Sequence, residues 1–258
     1  MKRFISLILA ALTFVSVFTL VSCSDYQIDL TGKKNIYSDL SKIINNPDKY
    51  EGQTIALTST YTVVYNFSEN RIQRHTMVEF DTTGTKRALY EIKKADGAYP
   101  SIGSEVTVYG SITKGRYINV ESFSGGKAQP TYDLDALDFT ADELSDFISD
   151  FRQEYSKNEH YGKSVRIFGH LSTLNGYTYL IGLDENGQYL WEIELYDPTG
   201  SIAFPTAEGT TVNPVQIIGE MSTYVEDHVT YACIKVSDAV KVESIFKVEN
   251  NQTILPGN

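Results

Sequence analysis

The stretch Val106-Thr107-Val108-Tyr109-Gly110 alternates apolar and other side chains and ends in glycine. A similar stretch, Val215-Gln216-Ile217-Ile218-Gly219, places its glycine 109 residues after the first one. Alternation with a period of two is typical of strands that bury one face. The two stretches therefore predict β structure, and they suggest that one structural unit occurs twice.

Other landmarks recur in the same order around these two stretches. Each half has a Tyr and a Gly before an apolar strand, a hairpin ending in Leu-aromatic-Glu-Ile, an aromatic-Pro pair, and a last strand. The pairs are Tyr50–Leu57 and Tyr161–Ile167, Leu89–Ile92 and Leu190–Ile193, Tyr99-Pro100 and Phe204-Pro205, and Tyr117–Val120 and Cys233–Val236. Because five landmarks recur in order, we predict two copies of a five-stranded unit, over 36–124 and 138–246.

A short amphipathic helix is predicted at the start of each repeat. In the second repeat, Thr140 and Glu143 form a capping-box pattern. In the first repeat, Ser38 is the predicted cap and Pro47 the predicted end. The apolar stripes of the two helices are Leu40, Ile43 and Ile44, and Leu144, Phe147, Ile148, Phe151 and Tyr155.

The strand patterns also predict which side chains point inward. Alternation places Ile55 with Leu57, Val106 with Val108, Val165 with Ile167, Tyr90 with Ile92, and Trp191 with Ile193 on buried faces. The segment Asp184–Gly187 is predicted to be a hairpin turn with Gly187 at positive φ. A calcium loop is the alternative for this segment, but the distal acidic ligand of the known calcium loop is missing.

The N-terminus has the layout of an export signal. Lys2 and Arg3 precede a run from Phe4 to Val21 that is almost entirely apolar. A run of this length also suits a membrane-spanning helix, so an uncleaved anchor and ordinary secretion are the alternatives.

The segment Leu20-Val21-Ser22-Cys23 resembles the lipobox of bacterial lipoproteins. The resemblance implies that a signal peptide, residues 1–22, is removed and that the Cys23 thiol carries diacylglycerol. The protein would then lie on the extracytoplasmic face of the cell membrane or elsewhere in the cell envelope, because an N-terminus with several acyl chains anchors stably. Residues 23–35 would form the lipidated tether.

The repeated unit resembles the OB-fold through its Tyr-x-Gly or Tyr-Gly start and its Val-x-Val/Ile-x-Gly fourth strand. Asn46–Gly52 is similar to segments that precede OB-type domains in surface lipoproteins of little-known function. The resemblance implies a mainly β protein with short helices: two five-stranded OB-like barrels, each preceded by an amphipathic helix, a linker at 125–137 and a tail at 247–258. The helix usual between strands three and four has no counterpart in the first repeat, so another small barrel or a sandwich stays open.

The charge of the chain argues against nucleic acid as a partner. After residue 23 there are 33 acidic and 20 basic residues, a net charge of −13, and such a chain repels phosphate backbones and anionic lipid. The first repeat has no net charge, whereas the second has a net charge of −12. Cys233 lies in an apolar stretch and is predicted to be a buried core residue.

One hairpin of the first repeat combines aromatic and basic residues, as binders of polyanions do. An ordinary solvated hairpin is the alternative. The OB-fold resemblance implies ligand binding on strands two and three, which this hairpin would form. The candidate ligand face consists of Tyr61, Tyr65, Arg71, Arg74, His75 and Arg87.

No motif of an enzyme, cofactor site or metal site is found in the sequence. The four histidines lack metal-ligand spacing; His170 is expected on a surface strand, and Glu91 and Glu192 are expected to point outward. The sequence thus predicts a non-catalytic, lipid-anchored binding or interaction module that contacts another envelope protein. The alternative is a binder of cell-wall glycan or acidic polymer through the hairpin, and an enzyme is a third possibility.

Overall fold

The computed structural model describes residues 26–114, 117–155, 157–184, 186–205 and 213–244. It is 52% strand and 14% helix, which confirms a mainly β protein with short helices. The predicted signal peptide, the lipidation site Cys23 and the tail 247–258 lie outside the described residues. Within those residues, no helix is long and apolar enough to cross a membrane.

The second predicted helix is confirmed, with its cap. Helix α3, Ala141–Glu154, starts with a capping box, in which the Glu143 amide donates to the Thr140 side chain and the Glu143 carboxylate accepts from the Thr140 amide. This local arrangement satisfies amides that the first turn leaves free. Its stripe residues Leu144, Ile148 and Phe151 are buried.

The first predicted helix is present, but its predicted cap is wrong. Helix α1, Tyr37–Asn45, begins after Ile36, with no side-chain cap, so Ser38 lies inside the first turn. Pro47 follows the end of α1 and starts a second short helix, α2, Pro47–Tyr50. Proline suits this place because the first helical residue needs no amide hydrogen.

The first sheet has seven strands. They are β1 (Ile28–Leu30), β2 (Thr54–Asn66), β3 (Arg71–Phe80), β4 (Arg87–Lys94), β5 (Glu105–Ile112) and β6 (Ile118–Gly125), with the short β13 (Glu243–Ser244) beside β2. The order is β1-β2-β3-β4-β6-β5, and β5 also pairs with β2. The β1–β2 and β4–β6 pairs are parallel.

The second sheet repeats this order with six strands. They are β7 (Leu134–Asp135), β8 (Ser164–Leu174), β9 (Tyr177–Leu183), β10 (Tyr189–Tyr196), β11 (Asn213–Glu226) and β12 (Val229–Lys241). The order is β7-β8-β9-β10-β12-β11, and β11 also pairs with β8. Its parallel pairs, β7–β8 and β10–β12, correspond to those of the first sheet.

The sequence suggested that each of the two landmark glycines, Gly110 and Gly219, ends its strand. In the structure, both glycines instead lie opposite β-bulges. The register shifts by one residue beside Gly110 and beside Gly219, which leaves Glu121 and Ser237 as extra residues on the partner strands. A Cβ on either glycine would collide with a backbone oxygen of the bulged strand. Both strands continue beyond the glycine because the bulge bends the ladder without ending it.

The described chain forms two compact units. Unit 1 consists of residues 26–59, 79–96 and 106–125, and unit 2 of residues 60–78, 97–105 and 126–244, where the structure describes them. The distal end of hairpin β2–β3 therefore groups with the second sheet. Within the predicted linker 125–137, Leu134–Asp135 forms β7 and a 3-10 turn follows at Ala136–Asp138.

The predicted inward-facing residues are buried in both units. In unit 1, Ile55, Leu57, Ile92 and Val108 belong to the core, as does Leu40 of α1. In unit 2, the same is true of Val165, Ile167, Trp191 and Ile193, and of Cys233, whose pKa burial raises to about 12.

Strand β8 also buries its opposite face, against the end of hairpin β2–β3. The Tyr65 ring stacks on Phe168 at 4.2 Å between centroids, and the Phe67 ring lies 4.1 Å from His170. His170 is only 2% exposed, so its predicted position on a surface strand is wrong. Alternation correctly places the His170 side chain on the face of β8 that points away from Val165 and Ile167. The end of hairpin β2–β3 covers this face as well, so His170 is buried.

Candidate functional site

The aromatic part of the predicted ligand face lies in the core of unit 2. Tyr61 and Tyr65 are 1% and 0% exposed, so their rings are not open to a ligand. The Tyr61 hydroxyl lies 2.5 Å from Nδ1 of His75, and the His75 ring stacks on Tyr99 at 3.6 Å. Burial lowers the pKa of His75 to about 4, so this histidine is neutral at pH 7.

The basic part of the predicted face is exposed. Arg71, Arg74 and Arg87 all lie at the surface, and Arg71 forms an ion pair with Glu69. Arg71 and Arg74 belong to unit 2 and Arg87 to unit 1. The structure therefore separates the two halves of the predicted motif: the cations face solvent and the rings do not.

A different surface of unit 2 combines exposed aromatic and charged side chains. Three adjoining cavities of about 370, 460 and 420 Å³ follow one another across it. The first two share Arg152 and Glu192, and the last two share Tyr177, Glu194, Tyr224 and Glu226. We call this surface, with Tyr196 and Tyr231, the tyrosine–carboxylate groove.

One wall of the groove is a row of parallel tyrosine rings. Tyr224 of β11 stacks on Tyr196 of β10 at 4.8 Å and on Tyr231 of β12 at 5.3 Å, with interplanar angles of 9° and 22°. Tyr224 and Tyr231 are direct partners in the β11–β12 ladder. Cross-strand aromatic pairs stabilise a sheet, so this wall is part of the framework as well as of the surface.

Two carboxylates of the groove, Glu194 and Glu226, accept hydrogen bonds from tyrosine hydroxyls. The Tyr224 hydroxyl donates to Glu194 at 2.6 Å, and the Tyr177 hydroxyl donates to Glu226 at 2.7 Å. Burial raises the pKa of Glu194 above its ordinary value, against the opposing effect of the Tyr224 hydrogen bond. The hydrogen bond to Glu226 raises the pKa of Tyr177 to about 12. Both carboxylates keep further lone pairs for a ligand.

Glu192 is the third carboxylate of the groove; it lies on the outward face of β10, as predicted, but only 14% of its side chain is exposed. Its Oε1 accepts from Arg152 of α3 at 3.2 Å. Its Oε2 is buried and has no hydrogen-bond partner among the residues that the structure describes. A buried acceptor without a partner costs free energy, so Glu192 is poised to accept a donor. Glu91, its counterpart in unit 1, lies 3.3 Å from Lys93.

Two tight hairpin turns border the groove. Asn175 and Gly176 connect β8 to β9, and Asp227 and His228 connect β11 to β12, all with positive φ. Two-residue turns of this kind match the twist of the strands they join. Asp and His carry this conformation at some cost, unlike Gly. The groove therefore lies on short, well-defined connections.

The groove suits binding through hydrogen bonds and charge. Its acceptors are the carboxylates and phenols just described, and Arg152 is its one cation among the described lining residues. Within the described chain, no three His, Cys, Asp or Glu side chains are grouped as metal ligands. No family model matches the chain, and no curated protein has a matching sequence.

The groove was missed in the sequence because its residues come from separate strands. A local signal was nevertheless present: Tyr177 and Tyr179 are two residues apart, as are Glu192 and Glu194. On a strand, residues two apart share a face, so each pair marks an outward face that carries one side-chain type. The predicted turn between β9 and β10 is confirmed at its described residues: the Gly187 amide donates to the Asp184 carbonyl, and Gly187 has a φ of 76°.

Proposed function

We propose that the chain is a non-catalytic binding module of the bacterial cell envelope that holds its partner in the tyrosine–carboxylate groove. One observation carries the proposal: three adjoining cavities join exposed tyrosines and carboxylates into a single surface of unit 2. Binding sites are concave, with aromatic walls and a few well-placed polar groups. The Tyr224–Glu194 and Tyr177–Glu226 hydrogen bonds orient these polar groups in advance.

We further propose that the module is exported and held at the membrane by lipid on Cys23, with residues 23–35 as its tether. The support is the signal layout and the lipobox resemblance of Leu20–Cys23. A labelled fatty acid fed to cells that produce the chain should enter the wild-type protein but not Cys23→Ala. The control Cys233→Ala should keep the label, because Cys233 is a buried core residue. Label in Cys23→Ala would contradict the anchor.

We also propose that each sheet is an OB-like barrel. The support is the strand order: β2 pairs with both β3 and β5, and β8 with both β9 and β11. In OB-folds, ligands bind on strands two and three and on the loops beside them. In the second sheet these elements are β9, β10 and the turns at Asn175 and Asp227, which form or border the groove.

The hairpin remains the alternative site, for cell-wall glycan or acidic polymer. Exposed Arg74 and Arg87 support it, but the tyrosines that would stack on a sugar are buried. Retention on purified wall material should then be salt-sensitive and should fall in Arg74→Glu and Arg87→Glu. Unchanged retention in both variants removes this alternative.

Site-specific photo-crosslinking tests the groove as the binding site. Tyr231 is 40% exposed at one end of the tyrosine wall, so a photoreactive phenylalanine at this position places its reactive group at the surface of the groove. We expect this position to crosslink to one dominant envelope component in cells. The control position is Glu220, which is exposed on β11 but does not line the groove. The same products from both positions, or none from Tyr231, contradict the proposal.

A further inference from the structure

We infer that the groove holds an extended, basic polypeptide segment, with a Lys or Arg side chain bound among Tyr177, Glu194, Tyr224 and Glu226. This inference rests on the proposed function, because it names the chemistry of the partner for the same groove. The expected partner is a cationic peptide, and a preference of the groove for a neutral sugar chain would contradict it.

The length of the groove indicates a chain molecule. The cavities adjoin through shared lining residues, and each is large enough for one or two side chains. A compact small molecule would fill one of them, whereas an extended peptide places successive side chains along all three. In complexes with extended peptides, separate pockets for alternate side chains give the specificity.

The charge of the groove favours a cation. Its described lining includes four carboxylates against one guanidinium, that of Arg152, which already pairs with Glu192. Asp197 satisfies its oxygens within its own turn, whereas Glu194 and Glu226 share the middle of the groove. A cation placed between these two offsets the repulsion that helps to raise the pKa of Glu194. The carboxylates are Glu192, Glu194, Asp197 and Glu226.

The buried oxygen of Glu192 also favours a bound donor. Its Oε2 has no hydrogen-bond partner among the described residues, while the Glu192 carboxylate as a whole interacts with Arg152 and with the Tyr189 hydroxyl. An ammonium or guanidinium group carries several N–H donors and no acceptor, so it satisfies such an oxygen.

The aromatic wall favours a side chain over a sugar. A sugar stacks on an open ring face, but Tyr224 stacks on Tyr196 and Tyr231 and has little open face left. Tyr224 therefore offers its edge and its hydroxyl rather than a ring face, which suits the apolar stem of Lys or Arg running toward a carboxylate.

Fluorescence anisotropy of short labelled probes tests the inference on the mature full-length protein, purified in detergent. The probes are hexalysine, hexaglutamate and the neutral hexamer of N-acetylglucosamine, in about 0.15 M salt so that distant charges are screened. The variant Glu194→Gln/Glu226→Gln removes two groove carboxylates. The matched control Glu159→Gln/Glu220→Gln removes two exposed carboxylates that do not line the groove. Thermal unfolding verifies that both variants fold.

We expect saturable binding of hexalysine that weakens at least about tenfold in the groove variant and less than about twofold in the control. Equal weakening in both variants means binding to the overall charge and overturns the inference. Preference for the neutral sugar hexamer overturns the cationic partner but leaves the groove as a binding site. Binding of no probe, with crosslinking from Tyr231 intact, also overturns only the inference; loss of that crosslinking overturns the proposed function as well.

Discussion

The Tyr224 hydroxyl donates a 2.6 Å hydrogen bond to the Glu194 carboxylate, from β11 to β10 across the intervening strand β12. It thereby joins the ring wall of the groove to its central acidic group. Burial raises the pKa of Glu194, and the hydrogen bond from Tyr224 opposes that rise. The protonation of Glu194 therefore reports directly on the geometry of the groove.

Replacing Tyr224 with Phe should raise the pKa of Glu194 further, because a donor to the ionised form is lost while burial remains. NMR titration of the Glu194 side-chain carbonyl measures this shift. The control is Tyr177→Phe, which removes the donor to Glu226 instead. An unchanged Glu194 pKa in Tyr224→Phe would show that the hydrogen bond does not exist in solution.

The two bulge glycines should not tolerate a side chain. In Gly219→Ala the new Cβ would lie 2.5 Å from the Lys235 backbone oxygen, and Gly110→Ala meets the Asn119 oxygen in the same way. Neither collision is relieved by a rotamer change, so we expect each variant to lose about 1–3 kcal/mol of unfolding free energy. Urea unfolding measures the loss, with Glu220→Ala as the exposed control. Wild-type stability in both variants would argue against the bulges.

Asn70 should be essential for fixing the end of hairpin β2–β3 within unit 2. Its amide donates to the carbonyls of Ala136 and Phe139 at 2.6 and 2.8 Å, and its φ of 48° suits Asn. Asn70→Asp replaces these donors with a carboxylate that faces two carbonyl oxygens. We expect this variant to lose about 2–4 kcal/mol of unfolding free energy, which urea unfolding measures. Exposed Glu69 offers the control, since Glu69→Ala should change stability by under about 0.5 kcal/mol.

The buried histidines predict a stability loss in mild acid. Burial lowers the pKa of His75 and of His170 to about 4. Between pH 6.5 and about 4, these histidines therefore bind protons in the unfolded chain but stay largely neutral in the folded chain. Their stabilisation is complete above pH 6.5 and is lost as the pH falls from 6.5 to about 4, by about 3 kcal/mol for each histidine. Glu194, with a raised pKa, acts in the opposite direction.

His170→Asn isolates one of these contributions. This variant should be less stable than the wild type at pH 7, and its unfolding free energy should fall less between pH 6.5 and 4. Urea unfolding at several pH values measures both. Parallel pH profiles for the two proteins would show that His170 titrates normally in the folded state.

Much of the framework could be predicted because it is encoded locally. The capping box at Thr140 involves residues three apart, and period-two alternation marks the buried faces of strands such as Val165–Ile167. The mainly β class follows from the same patterns. Alternation does not reveal what covers the opposite face of a strand, and the surface position predicted for His170 is wrong for that reason.

The candidate site could not be predicted because its members meet only through strand order. Tyr224 and Glu194 are 30 residues apart and come together only after β12 pairs in parallel with β10. Basic and aromatic residues are near each other in the sequence of hairpin β2–β3, but Tyr61 and Tyr65 point into the core whereas Arg71 and Arg74 face solvent. Closeness in sequence is a poor guide to a site on a sheet surface.

Crosslinking in cells from a photoreactive residue at position 231, in the wild-type background and in Glu194→Gln/Glu226→Gln, tests the central claim most directly. We predict one dominant product from the wild-type background, its loss in the groove variant, and its persistence in Glu159→Gln/Glu220→Gln. A product of equal yield in all three backgrounds would mean that the tyrosine–carboxylate groove does not hold the partner.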